Sequence, residues 1–201
     1  RFSRADGSAI RQRFGFTDDD TVLFFMGWLY DFSGLDEVAL ELAKCENKNL
    51  KMLVLGRGEL QDRLREIRDE YDLGDRLIIE DWKPYDEVPS YIAASDICIL
   101  PAQKNEIMQN IVPIKLYEYM AAGKPVICTT LEGVIMEFGH GNGIHYIDGS
   151  DEVIPMATRL WENSSIEHEG QLAQRFVAGN DWNVITDSFE FTLNELIKSN
   201  E

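Results

Sequence analysis

Short, almost unbroken apolar runs alternate with helical patterns along this chain, and no other feature restricts its fold as much. The runs are Thr21 to Met26, Lys51 to Leu55, Leu77 to Ile79, Ile97 to Leu100, Val126 to Cys128 and Ile144 to Ile147. Helical patterns intervene, the first from about Leu35, the second from about Glu59, a later one from near Pro113, and more from Asp151 onward. Strands separated by helices indicate βαβ units and a parallel sheet. Runs that are apolar throughout, rather than alternating, belong to strands covered by helices on both faces. The expected fold is α/β: a Rossmann-like three-layer sandwich with a parallel sheet of about six strands. At 201 residues, one domain spanning 1–201 is the default.

Charge narrows the function. Thirty-six acidic residues against nineteen basic ones give a formal charge of -17, which opposes attraction to nucleic acid or anionic lipid. A diphosphate site here has to be built locally, from helix N-termini, backbone N–H groups or single lysines. Cys45, Cys98 and Cys128 are odd in number and lie in apolar contexts, so buried free thiols in a reducing compartment are expected. No apolar run approaches the roughly 20 residues of a membrane-spanning helix. A cytoplasmic location is expected, with any membrane contact made through a partner domain.

Ligands of parallel α/β sheets sit at the carboxyl ends of the strands, so the residues there are the candidates. After the first run come Gly27 and Trp28, then Ser33 and Gly34 before a helix. This is either an ordinary turn or a surface that a ligand approaches closely. Gly56-Arg57-Gly58 follows the second run, but Gln61 holds the third glycine's place, so the dinucleotide fingerprint is incomplete and an NAD-dependent oxidoreductase is disfavoured. Asp81, Trp82 and Lys83 follow the third run, either as a place where backbone groups meet a base while Lys83 stays solvent-facing, or as a polar connection with Trp82 packed on the sheet edge. The stretch from Ala102 to Val112 reads as a polar loop. It leads into a helix near Pro113 that stops at Gly123 and Pro125. Lys115 and Glu118, three apart, share a face of that helix, either as a surface ion pair or with the carboxylate holding the vicinal hydroxyls of a ribose while the helix N-terminus faces the phosphates. His140 and His145 lie in a glycine-rich stretch without a completing ligand set, so neither metal nor cofactor is expected.

Together these segments resemble the C-terminal domain of family 4 retaining glycosyltransferases of the GT-B fold. The most specific stretch is Pro113-Ile-Lys-Leu-Tyr-Glu-Tyr-Met-Ala-Ala-Gly-Lys-Pro-Val126, similar to a signature written P-x-K-x-x-E-Y-M-A-x-G-K-P-V. Phe25-Met-Gly-Trp-Leu with Ser33-Gly34, Leu53-Val-Leu-Gly-Arg-Gly and Tyr91-Ile-Ala-Ala-Ser-Asp-Ile-Cys-Ile-Leu-Pro101 are similar to the family too. So are Gly133, Glu137, Asn142-Gly143 and Asp181-Trp182, in that order.

The resemblance implies a domain that binds a GDP- or UDP-linked sugar. An N-terminal acceptor-binding domain would lie outside this chain, and a C-terminal helix over 181–201 would pack toward it. It implies that Glu118 holds the ribose hydroxyls and that Ile111, Val112 and Ile114 present backbone N–H groups to the diphosphate. Gly27, Ser33 and Gly34 would line the phosphates, and Asp81, Trp82 and Lys83 the base. Asn110 stands where the family carries a glutamate beside the transferred sugar. Trp28 and Ser33 stand where it commonly carries an arginine and a lysine, and Lys115 is the candidate to stabilise the leaving diphosphate instead. The activity implied is retaining transfer of a hexose such as mannose to a glycan or lipid-linked acceptor in polysaccharide biosynthesis. Two alternatives stay open, a non-catalytic nucleotide-sugar-binding or docking domain and a GT-B-fold sugar-nucleotide epimerase.

Overall fold

A computed structural model describes residues 2–180 and 182–198. Six strands form one sheet in the order β3-β2-β1-β4-β5-β6. They are β1 (Thr21–Trp28), β2 (Leu50–Arg57), β3 (Leu77–Glu80), β4 (Ile97–Leu100), β5 (Val126–Thr129) and β6 (Ile144–Ile147). Every pairing is parallel. Ten α-helices are described: α1 (Ser8–Phe14), α2 (Leu35–Lys44), α3 (Leu60–Glu70), α4 (Val88–Ala94), α5 (Glu106–Gln109), α6 (Lys115–Ala121), α7 (Glu132–Phe138), α8 (Val153–Glu162), α9 (Ile166–Val177) and α10 (Trp182–Lys198). None is long and apolar enough to cross a membrane.

The apolar runs form the strands because both of their faces are covered. Val22 to Phe25, Leu50, Met52 to Leu55, Ile97 to Leu100 and Val126 to Cys128 are all buried. Helix α2 packs with α3 and α8, α6 packs with α9, and α1 packs with α4. The chain winds outward from β1 to β3 and then returns to the other side of β1 to lay down β4. That reversal, between β1 and β4, is where doubly wound sheets open a crevice.

The crevice has a specific cause here. β1 pairs with β2 along its whole length, from Thr21↔Leu50 to Trp28↔Arg57. With β4 it pairs only at Leu23↔Ile97 and Phe24↔Cys98, so its carboxyl end runs on without a neighbour on that side. The N–H of Met26 faces the gap and donates to the Tyr119 hydroxyl of α6 at 2.9 Å. An otherwise orphaned backbone donor thereby docks α6 against the end of β1.

Three expectations are corrected. The stretch 102–112 contains the short helix α5, whose first turn is capped by Asn105 accepting from the Met108 N–H at 2.8 Å. Cys98 and Cys128 are buried free thiols, but Cys45 is only half-buried. Lys83 is not solvent-facing: it is half-buried and pairs with Glu80 at 2.9 Å. Asp181 of the proposed C-terminal helix lies outside the described residues, as do 199–201. From Asn183 to Lys198 every side chain is exposed, including Ile185, Phe189, Phe191 and Leu193.

Candidate functional site

Glycines without side chains floor the site at the carboxyl ends of β1 and β2. Gly27 has φ +132°, and a Cβ there would lie 2.8 Å from Lys115 Nζ. Gly56 sits opposite Gly27 in the ladder, where a Cβ would lie 1.8 Å from the Gly27 carbonyl oxygen. The two strands can continue side by side through this point because neither carries a side chain there. Gly34, at φ +68°, closes the turn before α2, and a Cβ there would press within 2.2 Å of the Pro101 carbonyl at the end of β4.

Lys115 opens α6 and turns down onto this floor. Its ammonium lies 4.2 Å from the centre of the buried Phe25 ring and beside Gly27. Burial pushes its pKa down from 10.5 to about 8, against a weaker opposing pull from the Glu118 carboxylate. A lysine held in such surroundings is a cation that a dianionic ligand would stabilise. The surface ion pair that the three-residue spacing allows does not form: among the described residues no salt bridge joins Lys115 and Glu118. Glu118 instead accepts a hydrogen bond from the Tyr85 hydroxyl at 2.6 Å.

Ahead of α6, Ile111, Val112 and Ile114 are exposed. Their N–H groups, and that of Lys115, have no acceptor among the described residues, whereas the next amides, Leu116 and Tyr117, bond to Pro113 and Ile114. Unpaired donors at the start of a helix, beside a lysine, can receive an anion. Asn110 ends α5 and is exposed, its amide donating to the Glu106 carbonyl at 2.8 Å. The segment is braced from β5's side, where the Glu132 N–H that opens α7 donates to Gln109 Oε1 at 3.0 Å. Gly133 lets the two segments touch, since a Cβ there would lie 3.1 Å from the Ile111 carbonyl.

The remaining candidates fall into two groups. Ser33 is buried, and its hydroxyl donates to the Tyr30 carbonyl at 2.7 Å, so its proton is used inside the turn. Trp28 is exposed at the end of β1 and leads an aromatic series in which Tyr30 stacks on Phe32 at 4.8 Å. On the β3 side, Asp81 receives both Arg57 Nε at 2.5 Å and Arg57 Nη2 at 2.8 Å, and also the Trp82 N–H. The Arg57 guanidinium and then the Trp82 amide hold the Asp81 carboxyl at about 2. Trp82 itself is exposed. His145 pairs with Glu169 at 3.3 Å and the His140 ring meets Tyr146 edge-on, so the two histidines serve separate contacts.

Sequence reasoning singled out neither Tyr85 nor Tyr119, nor Arg57 as a side chain. Tyr119 lies within the signature of α6, but no sequence pattern marks its hydroxyl as the acceptor for a strand amide. Arg57 carries a signal only in hindsight, as a charge at the end of a buried strand. Tyr85 reaches Glu118 across 33 positions, a separation no local pattern encodes.

A family model described as Glycosyl transferases group 1 matches residues 6–177. The amylovoran biosynthesis glycosyltransferase AmsK of Erwinia amylovora is 29% identical over 98 residues, 48% of this chain and 24% of that protein. The alpha-D-kanosaminyltransferase of Streptomyces kanamyceticus is 24% identical over 141 residues, 67% of this chain and 35% of that one. Among solved structures, Anabaena Alr3699/HepE in complex with UDP-glucose superposes with a TM-score of 0.75 at 21% identity, covering 94% of this chain and 52% of that chain. The C-terminal domain of a glycosyl transferase group 1 family protein (LpcC) from Francisella tularensis superposes with a TM-score of 0.68 at 17% identity, covering 86% of this chain and 91% of that one. At these identities the solved structures speak to the fold alone. The chain spans 20% to 35% of the curated relatives it matches. With the family model running from ahead of α1 to the last residue of α9, this chain belongs to the glycosyl transferases group 1 family.

Proposed function

We propose that this chain is the donor-binding half of a retaining glycosyltransferase that moves a hexose from a nucleoside-diphosphate sugar to a glycan or lipid-linked acceptor in polysaccharide biosynthesis. The observation that carries the reading is Lys115, half-buried against Gly27 and Phe25 where the sheet order reverses, beside a helix start with unpaired N–H groups. Family membership and the amylovoran relative support the reaction class. A structural neighbour that holds UDP-glucose supports a nucleotide-sugar donor. Coverage of nearly the whole of a solved C-terminal domain supports a half-enzyme whose acceptor-binding domain lies outside this sequence. The apolar, exposed side chains of α10 would then cover part of that domain.

In this reading the ribose hydroxyls meet Glu118, and the diphosphate lies over Gly27 between Lys115 and the N–H groups of Ile111, Val112 and Ile114. As the bond to the sugar breaks, negative charge collects on the departing diphosphate. A preformed cation and aligned donors stabilise that charge without having to reorganise. Asn110 offers the sugar an uncharged hydrogen-bonding group. Charge neutralisation is assigned to Lys115 and the amides, with no metal ion.

A second reading, a domain that binds the nucleotide-sugar without transferring it, is favoured by two positions. Trp28 brings no charge to the phosphates, and Ser33 is turned inward. Calorimetric titration with UDP, GDP and ADP, repeated on Glu118→Ala, tests the shared core of both readings. Binding of one nucleotide, weakened about tenfold or more in the variant, is expected. Binding that the variant leaves unchanged would remove Glu118 from the donor site.

A further inference from the structure

Glu118 does not stand alone at the site, and what holds it comes from the far edge of the sheet. Tyr85 lies in the connection between β3 and α4, and β3 is an edge strand. Glu118 lies on α6, which is docked by Tyr119 onto β1, two strands away. The Tyr85 hydroxyl donates to Glu118 Oε1 at 2.6 Å, the short distance of a bond to a charged acceptor. Between the two side chains in sheet order are the ends of β2 and β1, where Gly56 and Gly27 make the floor. The same connection has a second tether close by, the two-pronged contact of Arg57 with Asp81. The Tyr85 ring also meets Phe2 edge-on at 6.2 Å.

A carboxylate has about four lone-pair directions. With one taken by the phenol, the Glu118 side chain is held in a single orientation and Oε2 remains for another donor. The Glu118 carboxylate is attracted by Lys115 but not bonded to it, and among the described residues its hydrogen-bond donor is the Tyr85 hydroxyl. We propose that Tyr85 is a positioning residue: its hydroxyl aims the Glu118 carboxylate so that the free oxygen and the remaining lone pair accept a vicinal diol, the 2′- and 3′-hydroxyls of a ribonucleotide. Ribose recognition is thus shared by two segments, one on α6 and one following β3. This inference rests on the donor-site reading above and adds to it the group that orients the ribose contact.

The test compares UDP, GDP and ADP with their 2′,3′-dideoxy forms on the unmodified chain, Tyr85→Phe and Glu118→Ala. Phenylalanine keeps the ring against Phe2 and removes only the oxygen. Tyr85 is exposed, so a thermal melt of the variant should match that of the parent. The expected result is a preference for the ribonucleotide that Glu118→Ala abolishes and Tyr85→Phe lowers about tenfold, with dideoxynucleotide affinity unchanged. A preference lost in Glu118→Ala but intact in Tyr85→Phe would overturn the role of Tyr85 and leave the donor site standing. Equal weakening of both nucleotide forms in Tyr85→Phe would also overturn it, since the hydroxyl would then only be tethering its segment. If the unmodified chain binds none of the six nucleotides, or shows no ribose preference, the donor-site reading fails and this inference fails with it.

Discussion

Replacing Lys115 with methionine should make the protein more stable while weakening its hold on nucleotide. The ammonium is folded against the Phe25 ring and the Gly27 backbone, and burial takes its pKa from 10.5 to about 8. At neutral pH that drop corresponds to a cost of about 3 kcal/mol for keeping the lysine charged in the folded state. Methionine fills a similar volume, needs no charge and makes a favourable sulfur contact with an aromatic ring. It gives up the attraction of a cation for Phe25, about 1 kcal/mol. The net expectation at pH 7 is a gain of about 1–3 kcal/mol. For a domain of this size that raises Tm by about 2–4 °C per kcal/mol.

The pH dependence identifies the cause. Below pH 8 the lysine is protonated in both folded and unfolded chains, and its full cost is present. Between about pH 8 and 10.5 the folded chain releases the proton while the unfolded chain keeps it, so the parent protein gains stability as pH rises. The advantage of Lys115→Met should therefore be constant below pH 8, shrink across that window and be gone above it. Urea unfolding of both proteins at pH 6.5, 7.5, 9 and 10.5 measures the difference, and other groups that titrate in that range act on both proteins alike. A variant less stable than the parent at pH 7, or a difference that does not change with pH, would refute the argument. Nucleotide affinity of the parent should follow the same titration with its own sign. A bound diphosphate raises the lysine's pKa, so binding is tightest where the free lysine is already charged and weakens as pH rises through about 8.

Two further outcomes follow from burial. Ending the chain after Asn180 removes α10, whose described side chains from Asn183 to Lys198 are all exposed, so the melting temperature should stay within a few degrees of the parent while self-association at high concentration falls. A drop of more than about 10 °C would mean that α10 belongs to the core. In the native protein a water-soluble disulfide reagent should modify Cys45 alone, because Cys98 and Cys128 are buried and burial pushes both thiols up to about 12. Rapid labelling of all three thiols without denaturant would contradict this.

The architecture was legible because the strands are buried on both faces and show this as apolar runs. Ile97–Leu100 and Ile144–Ile147 lie where those runs place them. β1 and β2 extend two residues past theirs, to Trp28 and Arg57. A glycine in the sequence reads as the end of a strand, yet Gly27 and Gly56 face each other within the ladder, and the parallel pairing continues through them. α5 was missed because four residues are little more than one helical turn and show no period. The site was legible only as separate segments. Lys115 and Glu118 share a helix face as their spacing requires, but one points to Gly27 and the other to Tyr85. Those partners lie 88 and 33 positions earlier in the chain, and only the folded sheet brings them together.

The net charge of -17 gives Lys115 its significance. A protein so acidic repels a diphosphate at long range, and the lysine departs from the ordinary pattern in which amines on such a surface stay in water beside carboxylates. Lys44, Lys104 and Lys198 follow that pattern, each with an acidic partner. Lys115 forms no salt bridge among the described residues, is half-buried, and lies where the backbone has been cleared of side chains on the opposing strand. Keeping that charge costs about 3 kcal/mol of a folding free energy that is itself only about 5–15 kcal/mol. A fold keeps such a cost when a ligand removes it. A diphosphate lying across Gly27 would do so.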